Sequence, residues 1–351
     1  MSEINKSTTI NTDDYINKFR SDDLADRYTL FPIEDEKMYE FLKKQEAAFW
    51  SSNELDFSRD IEDYNNLNPG LKRVIDYVNC FFASTDGLII DNIALRFLLE
   101  CKTLEEQGFY IFQLAIEYVH SETYSLIINT LISDPDERRN MFNAVNNLDC
   151  VKHKAEWLDT FMKSDKSEAH RVLVFACGEG ILFMSSFLFI FYFREKGILQ
   201  NIVFANEQIS KDENMHKDAG VIRYKRLGKL SDQNAFEIVG KAVELEIEFI
   251  DELLPEQVDD LNPEDAKNFV RVLADHLLVS CGHSKLYNVS AKVLPSWING
   301  LAMEQKSNFY EVRVGNYKQS SLKQALDWRG RIKGQQEQLT KALKDPREFD
   351  I

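Results

Sequence analysis

Proline sets the first limit on what this chain can fold into. Its seven prolines, Pro32, Pro69, Pro135, Pro255, Pro263, Pro295 and Pro346, leave 119 residues uninterrupted between Pro135 and Pro255. Proline inside a helix removes a backbone donor and clashes with the preceding turn, so a stretch without it can carry long helices. Apolar residues recur at periods of three and four over 41–49, 71–99, 104–131, 172–193, 202–227, 242–254 and 269–286, and alternating strand patterns of useful length are scarce. Asn-Pro at 68–69 and 262–263 and Asp-Pro at 134–135 supply helix starts. The expected architecture is all-α, a helical bundle.

One apolar stretch needs separate treatment. Residues 172–193 are 22 in number and carry a single charge, Glu179, so by length alone they could span a bilayer. An ionisable group inside lipid is costly unless it faces a partner, and a helix apolar all round serves equally as the central helix of a bundle. The remaining composition points away from other partners. A net charge of −16 makes a nucleic acid an unsuitable partner, because binding phosphates relies on clustered Lys and Arg. Five cysteines, Cys80, Cys101, Cys150, Cys177 and Cys281, form no Cys-x-x-Cys pair and read as buried thiols in a reducing compartment. The N-terminal stretch is polar and of mixed charge, without the look of a signal or transit peptide, so the cytoplasm is the expected location.

The chemistry sits in two repeated spacings. Two of the six histidines follow a glutamate by three residues, in Glu117-Tyr118-Val119-His120 and Glu213-Asn214-Met215-His216. At i and i+3 a carboxylate and an imidazole project from one helix face and can reach one metal site. Each pair is preceded by an acid in an otherwise apolar segment: Asp86 lies 31 residues before Glu117, and Glu179 lies 34 before Glu213. If each segment is an antiparallel helix pair, residues equidistant from the turn share a height, because both helices rise about 1.5 Å per residue. The turns should fall near residues 101 and 196. Thr103 with Glu106 offers a capping box at the first, and Gly197 a helix stop at the second. Two such hairpins facing each other would bring four carboxylates and two imidazoles to one level, the ligand pattern of ferritin-like di-metal carboxylate bundles, with Asp86 in place of one glutamate. Oxygen ligands with two imidazoles suit iron or manganese better than a thiolate-seeking metal.

On these residues the chain resembles class I ribonucleotide reductase small subunits of the eukaryotic and large-virus type. The likeness runs from about residue 30 to about 317 and is carried by Ala48-Phe49-Trp50, Ser84-Thr85-Asp86-Gly87, the segment from Glu117 to Ser125, Glu179-Gly180, the segment from Asn206 to His216, and Arg313-Val314-Gly315-Asn316-Tyr317. It implies a ferritin-like di-iron bundle over 28–300, between a flexible segment 1–27 and a tail 301–351 that docks on a large subunit. It implies that Asp86, Glu117 and His120 hold one iron and Glu179, Glu213 and His216 the other, with manganese or a mixed pair as alternatives. It further implies that dioxygen reduction oxidises Tyr124 to a neutral radical inside an apolar sheath of Phe183, Phe187 and Ile209. Asp212 would link His120 to Trp50, and Tyr317 would pass the oxidising equivalent to the large subunit, where ribonucleotides are reduced. A homodimer is expected on the same ground. The 34 residues after Tyr317 depart from the family's short acidic tail by their length and Lys/Gln-rich character. Other di-iron oxidases or hydroxylases, and a non-catalytic partner subunit, are the alternative readings.

Overall fold

A computed structural model describes residues 27–307. The expected tail beyond Ser307, Tyr317 included, lies outside the described residues, as does the expected flexible segment except Arg27. Arg27 is held to the body by the Glu105 carboxylate at 2.9 Å. Among the described residues there is no strand, only an isolated bridge between Val258 and Leu261. The helices that matter here are α1 (Glu36–Ala48), α2 (Ile61–Asn66), α3 (Pro69–Asn92), α4 (Leu104–Leu131), α5 (Pro135–Phe142), α6 (Asp149–Met162), α7 (Glu168–Lys196), α8 (Gln200–Leu227), α9 (Asp232–Leu253), α10 (Pro263–Ser280) and α11 (Ser296–Ser307). The last of these crosses the boundary expected at residue 300.

The helix starts follow the proline chemistry. Pro69, Pro135 and Pro263 each open a helix, where a missing N–H costs nothing. The residue before each accepts a backbone N–H on its side chain: Asn68 from Leu71 at 2.9 Å, Asp134 from Glu137 at 2.8 Å and Asn262 from Glu264 at 2.8 Å. Such a cap is worth about 1 kcal/mol.

Both expected hairpins are present. After α3 a π-helical stretch, Ile93–Phe97, and a last turn, Leu98–Glu100, lead into an extended Cys101. Thr103 then caps α4 by accepting from the Glu106 N–H at 3.2 Å. The Glu106 carboxylate reaches back to the N–H of Lys102, one residue earlier than a capping box would have it, at 3.0 Å. At the second turn α7 stops at Gly197, whose φ of 72° is a left-handed conformation that glycine adopts without a Cβ clash. Helix α3 packs on α4, α4 on α8, α8 on α7 and α7 on α3, which closes a four-helix core.

The long apolar run is the central rod of this core. Helix α7 is long and apolar enough to cross a membrane by length and composition, yet its apolar window is wholly buried within the fold. Each large apolar side chain so buried contributes about 1.5–3 kcal/mol. The rod is not uniform: Gly178–Phe183 is π-helical and carries Glu179. Such bulges widen a turn and recur at functional sites. At Gly180 the approach is close: a Cβ would meet Lys217 Cδ of α8 at 2.9 Å, so a larger residue would need that lysine side chain to shift. A buried ion pair also packs against this rod: Lys154 of α6 meets Glu246 of α9 at 2.7 Å, both fully buried, with Ser185 of α7 donating to Glu246 and the ammonium 3.3 Å from the Phe81 ring centre and 3.8 Å from that of Phe249.

Candidate metal centre

Helix periodicity decides which side chains face the middle of the core. On α4 the inward face carries Gln113, Glu117, His120 and Tyr124, spaced four, three and four; on α8 it carries Asn206, Ile209, Glu213 and His216, spaced three, four and three. Asp86 comes from α3 and Glu179 from the π-helical part of α7. All six expected ligands are buried.

Their geometry is nearly symmetric. Glu117 offers one oxygen to each histidine, at 3.2 Å from His120 Nδ1 and 3.0 Å from His216 Nδ1. Glu213 does the same, at 3.2 Å and 3.1 Å. Atoms of Glu117, Glu179, Glu213 and His216 that could serve as ligands all lie within 4.8 Å of one another. Asp86 and His120 lie outside that group of four, and Asp86 feels the charges of Glu117, His120 and Glu213. Gln113 donates to Glu117 at 3.1 Å and to Glu179 at 3.5 Å.

Charge shows what this cluster is suited to hold. Burial, reinforced by the negative charge of Glu117, pushes Asp86 well above the usual carboxylate range. Burial and the charge of Glu213 do the same to Glu179. Burial opposes the ionised forms of Glu117 and Glu213 as well, but it is outweighed, at Glu213 by the hydrogen bond from Glu179 and then the imidazoles, at Glu117 by the imidazoles, and both are held low. His216 is pushed up to about 9, burial being overcome by Glu117 and Glu213. His120 is raised against burial by its bonds to Asp212, Glu117 and Glu213. The cluster thus calls for positive charge that its own side chains supply only by binding protons. Buried Asp86 Oδ2, Glu179 Oε2 and His216 Nε2 have no hydrogen-bond partner. Four carboxylates, two imidazoles and orphaned oxygens fit a pair of hard divalent cations, which would satisfy both the charge and the open lone pairs.

Around the cluster, Asp212 Oδ2 receives the Trp50 indole N–H at 2.8 Å and lies 3.2 Å from His120 Nε2. Trp50 is buried and its ring stacks on that of His120, 5.9 Å between centres and 22° between planes. Tyr124 is fully buried, donates its hydroxyl to Asn206 Oδ1 at 2.8 Å and stacks on Phe82 at 4.6 Å and 6°. Burial first, then the charges of Asp86, Glu213 and Glu117, push its pKa well up, so it stays a phenol. Phe183 and Phe187 pack on Phe82, at 5.5 Å and 4.9 Å, and Ile209 is fully buried. Gln113, Phe82 and Asn206 were not singled out from the sequence. Each lies one or two turns from an expected ligand on the same face, which was the available signal.

A family model for the ribonucleotide reductase small chain matches residues 27–295. The chain belongs to that family. It is 38% identical over 307 residues to a ribonucleoside-diphosphate reductase small chain of Arabidopsis thaliana, covering 87% of this protein and 92% of the plant one. It is 40% identical over 299 residues to the small chain of Plasmodium falciparum, covering 85% of each. Its fold superposes on the Rnr4 homodimer structure from Saccharomyces cerevisiae with a TM-score of 0.71 at 26% identity, covering 88% of this protein and 92% of that one. The small chain therefore has the family's ferritin-like helical fold and is a subunit of an oxidoreductase, ribonucleoside-diphosphate reductase, that also requires a large subunit.

Proposed function

We propose that this small chain is the radical-generating subunit: it holds two iron ions on Asp86, Glu117, His120, Glu179, Glu213 and His216 and stores an oxidising equivalent on Tyr124. The observation that carries this is the symmetric sharing of Glu117 and Glu213 between the two imidazoles, one helical turn from a buried phenol. Glu117 and Glu213, each within reach of both imidazoles, would contribute to holding both ions. Asp86 with His120, and Glu179 with His216, would supply the remaining ligands. When bound, the iron pair supplies the reduction of dioxygen and the power to remove one electron from Tyr124.

The chain's own residues do the rest. Asp212 accepts from His120 Nε2–H, which leaves Nδ1 free to bind metal and fixes the ring. Through the same oxygen it joins the imidazole to Trp50, and this is the outward electron path. Phe82, backed by Phe183 and Phe187, excludes water from the Tyr124 ring. Tyr317, outside the described residues, is the relay to the large subunit. A second copy of the chain would cover the exposed apolar stripe Ile111, Tyr118 and Leu126 on α4. The five free, buried cysteines support a cytoplasmic setting.

The test is low-temperature EPR on metal-stripped protein reloaded with ferrous iron and exposed to oxygen, beside Tyr124→Phe. A tyrosyl signal in the parent and none in the variant is the expected result. Iron uptake with no tyrosyl signal in the parent would leave a di-iron oxidase as the better reading.

A further inference from the structure

We propose that Asn206 is a positioning residue for Tyr124: its carboxamide pins the phenol hydroxyl and favours the phenol over the radical. The inference deepens the reading of Tyr124 as the radical site and rests on it. Tyr124 and Asn206 are both fully buried, and the hydroxyl donates to Asn206 Oδ1 at 2.8 Å. The amide cannot readily turn, because its Nδ2 donates to the Ile202 carbonyl one turn back on α8, also at 2.8 Å. Its carbonyl end is therefore the end presented to the phenol, and the orientation is set by the helix itself.

This arrangement acts on the two redox forms of the tyrosine in opposite ways. Oxidation takes one electron and the hydroxyl proton from Tyr124. Both are consumed in the reduction of dioxygen, since a carboxamide oxygen is far too weak a base to keep the proton. The O–H···O=C bond must break in that step. Afterwards the phenoxyl oxygen is an acceptor only and faces another acceptor, so what stabilised the phenol becomes a mild repulsion. A neutral hydrogen bond of this kind shifts an equilibrium by roughly two- to tenfold. Asn206 thereby makes Tyr124 harder to oxidise, while holding its ring in one orientation against Phe82.

Two variants separate positioning from mere structural support: Asn206→Leu, of similar size without an acceptor, and Asn206→Asp, which keeps one. In metal-free protein carrying ζ-13C tyrosine, NMR should show a protected Tyr124 hydroxyl proton in the parent and in Asn206→Asp. Its exchange should be about tenfold or more faster in Asn206→Leu. After loading with ferrous iron and oxygen, Asn206→Leu should give at least the parental radical yield, with changed β-proton hyperfine splittings that report a shifted ring angle. An equally protected hydroxyl in Asn206→Leu overturns the proposal, as do unchanged splittings or a lost radical at full iron occupancy. If the parent itself forms no tyrosyl radical, the reading of Tyr124 falls, while the hydroxyl measurement still decides whether Asn206 pins the phenol.

Discussion

Trp50 and His120 meet on a single atom: Asp212 Oδ2 lies 2.8 Å from the indole nitrogen and 3.2 Å from the imidazole Nε2. One oxygen thus serves two tasks, orienting an imidazole of the cluster and joining it to an indole nearer the surface. The tasks separate by mutation. Trp50→Phe should leave iron uptake and the Tyr124 radical intact while ribonucleotide reduction with the large subunit falls to background. Asp212→Ala should disturb both, weakening metal binding by roughly 10- to 100-fold. Iron titration, EPR and turnover on the same preparations check this, and full turnover in Trp50→Phe would remove the indole from the path.

Glu117 and Glu213 each face both histidines, so either one removed should affect both metal positions. Glu117→Ala and Glu213→Ala are expected to bind well under two irons per chain, whereas Asp86→Ala and Glu179→Ala should each spare the far position. Loading the parent with ferrous iron without oxygen should raise its melting temperature, because bound cations act only on the folded state. Metal analysis beside thermal unfolding reads both effects. Equal losses in all four variants would contradict the shared role of Glu117 and Glu213.

That these acids and histidines meet in the core was legible in sequence because helix rise is constant. Asp86 with Glu117, and Glu179 with Glu213, flank turns that the chain marks with Thr103 and Gly197, so height could be worked out without coordinates. Acids and histidines also announce themselves, since they are costly in an apolar setting without a task. Gln113, Phe82 and Asn206 do neither: an amide or a phenyl ring on a buried face looks like any other packed residue until its partner is located. The π-helical turn around Glu179 was hidden for another reason. It shifts the hydrogen-bond register by one residue inside a segment that is apolar on every side, where no periodicity exists to be broken.

Lys154 and Glu246 form a fully buried ion pair away from the metal cluster, and burial acts against both charges. Desolvation lowers the lysine, partly offset by Glu246, and raises the glutamate, partly offset by Lys154 and Ser185. Lys154→Met strands the carboxylate and should cost about 3–5 kcal/mol, while Lys154→Met with Glu246→Leu should recover most of it. The pH dependence of the single variant has a definite sign. Its Glu246 binds a proton more tightly folded than unfolded, so stability falls as pH rises above the ordinary glutamate value and recovers as pH drops. Thermal unfolding of both variants between pH 5.5 and 8 tests this, and a deficit in Lys154→Met that stays flat with pH would argue against a stranded carboxylate.

Phe82 is the ring in stacked contact with Tyr124, and Phe183 and Phe187 close over its other sides. Phe82→Ala should therefore open a cavity beside the phenol, at a cost of about 3–5 kcal/mol in stability. Phe82→Leu fills most of the space and serves as the milder variant. Neither substitution removes a ligand, so iron uptake should match the parent. The radical should still form in both, since the iron pair and the phenol keep their relation. Its lifetime should shorten in the order parent, Phe82→Leu, Phe82→Ala, as water and small reductants gain access to the ring. Decay of the EPR signal at one temperature and one reductant concentration measures this. Equal half-lives across the three proteins would mean that protection comes from the depth of the core, with no special part for the stacked ring.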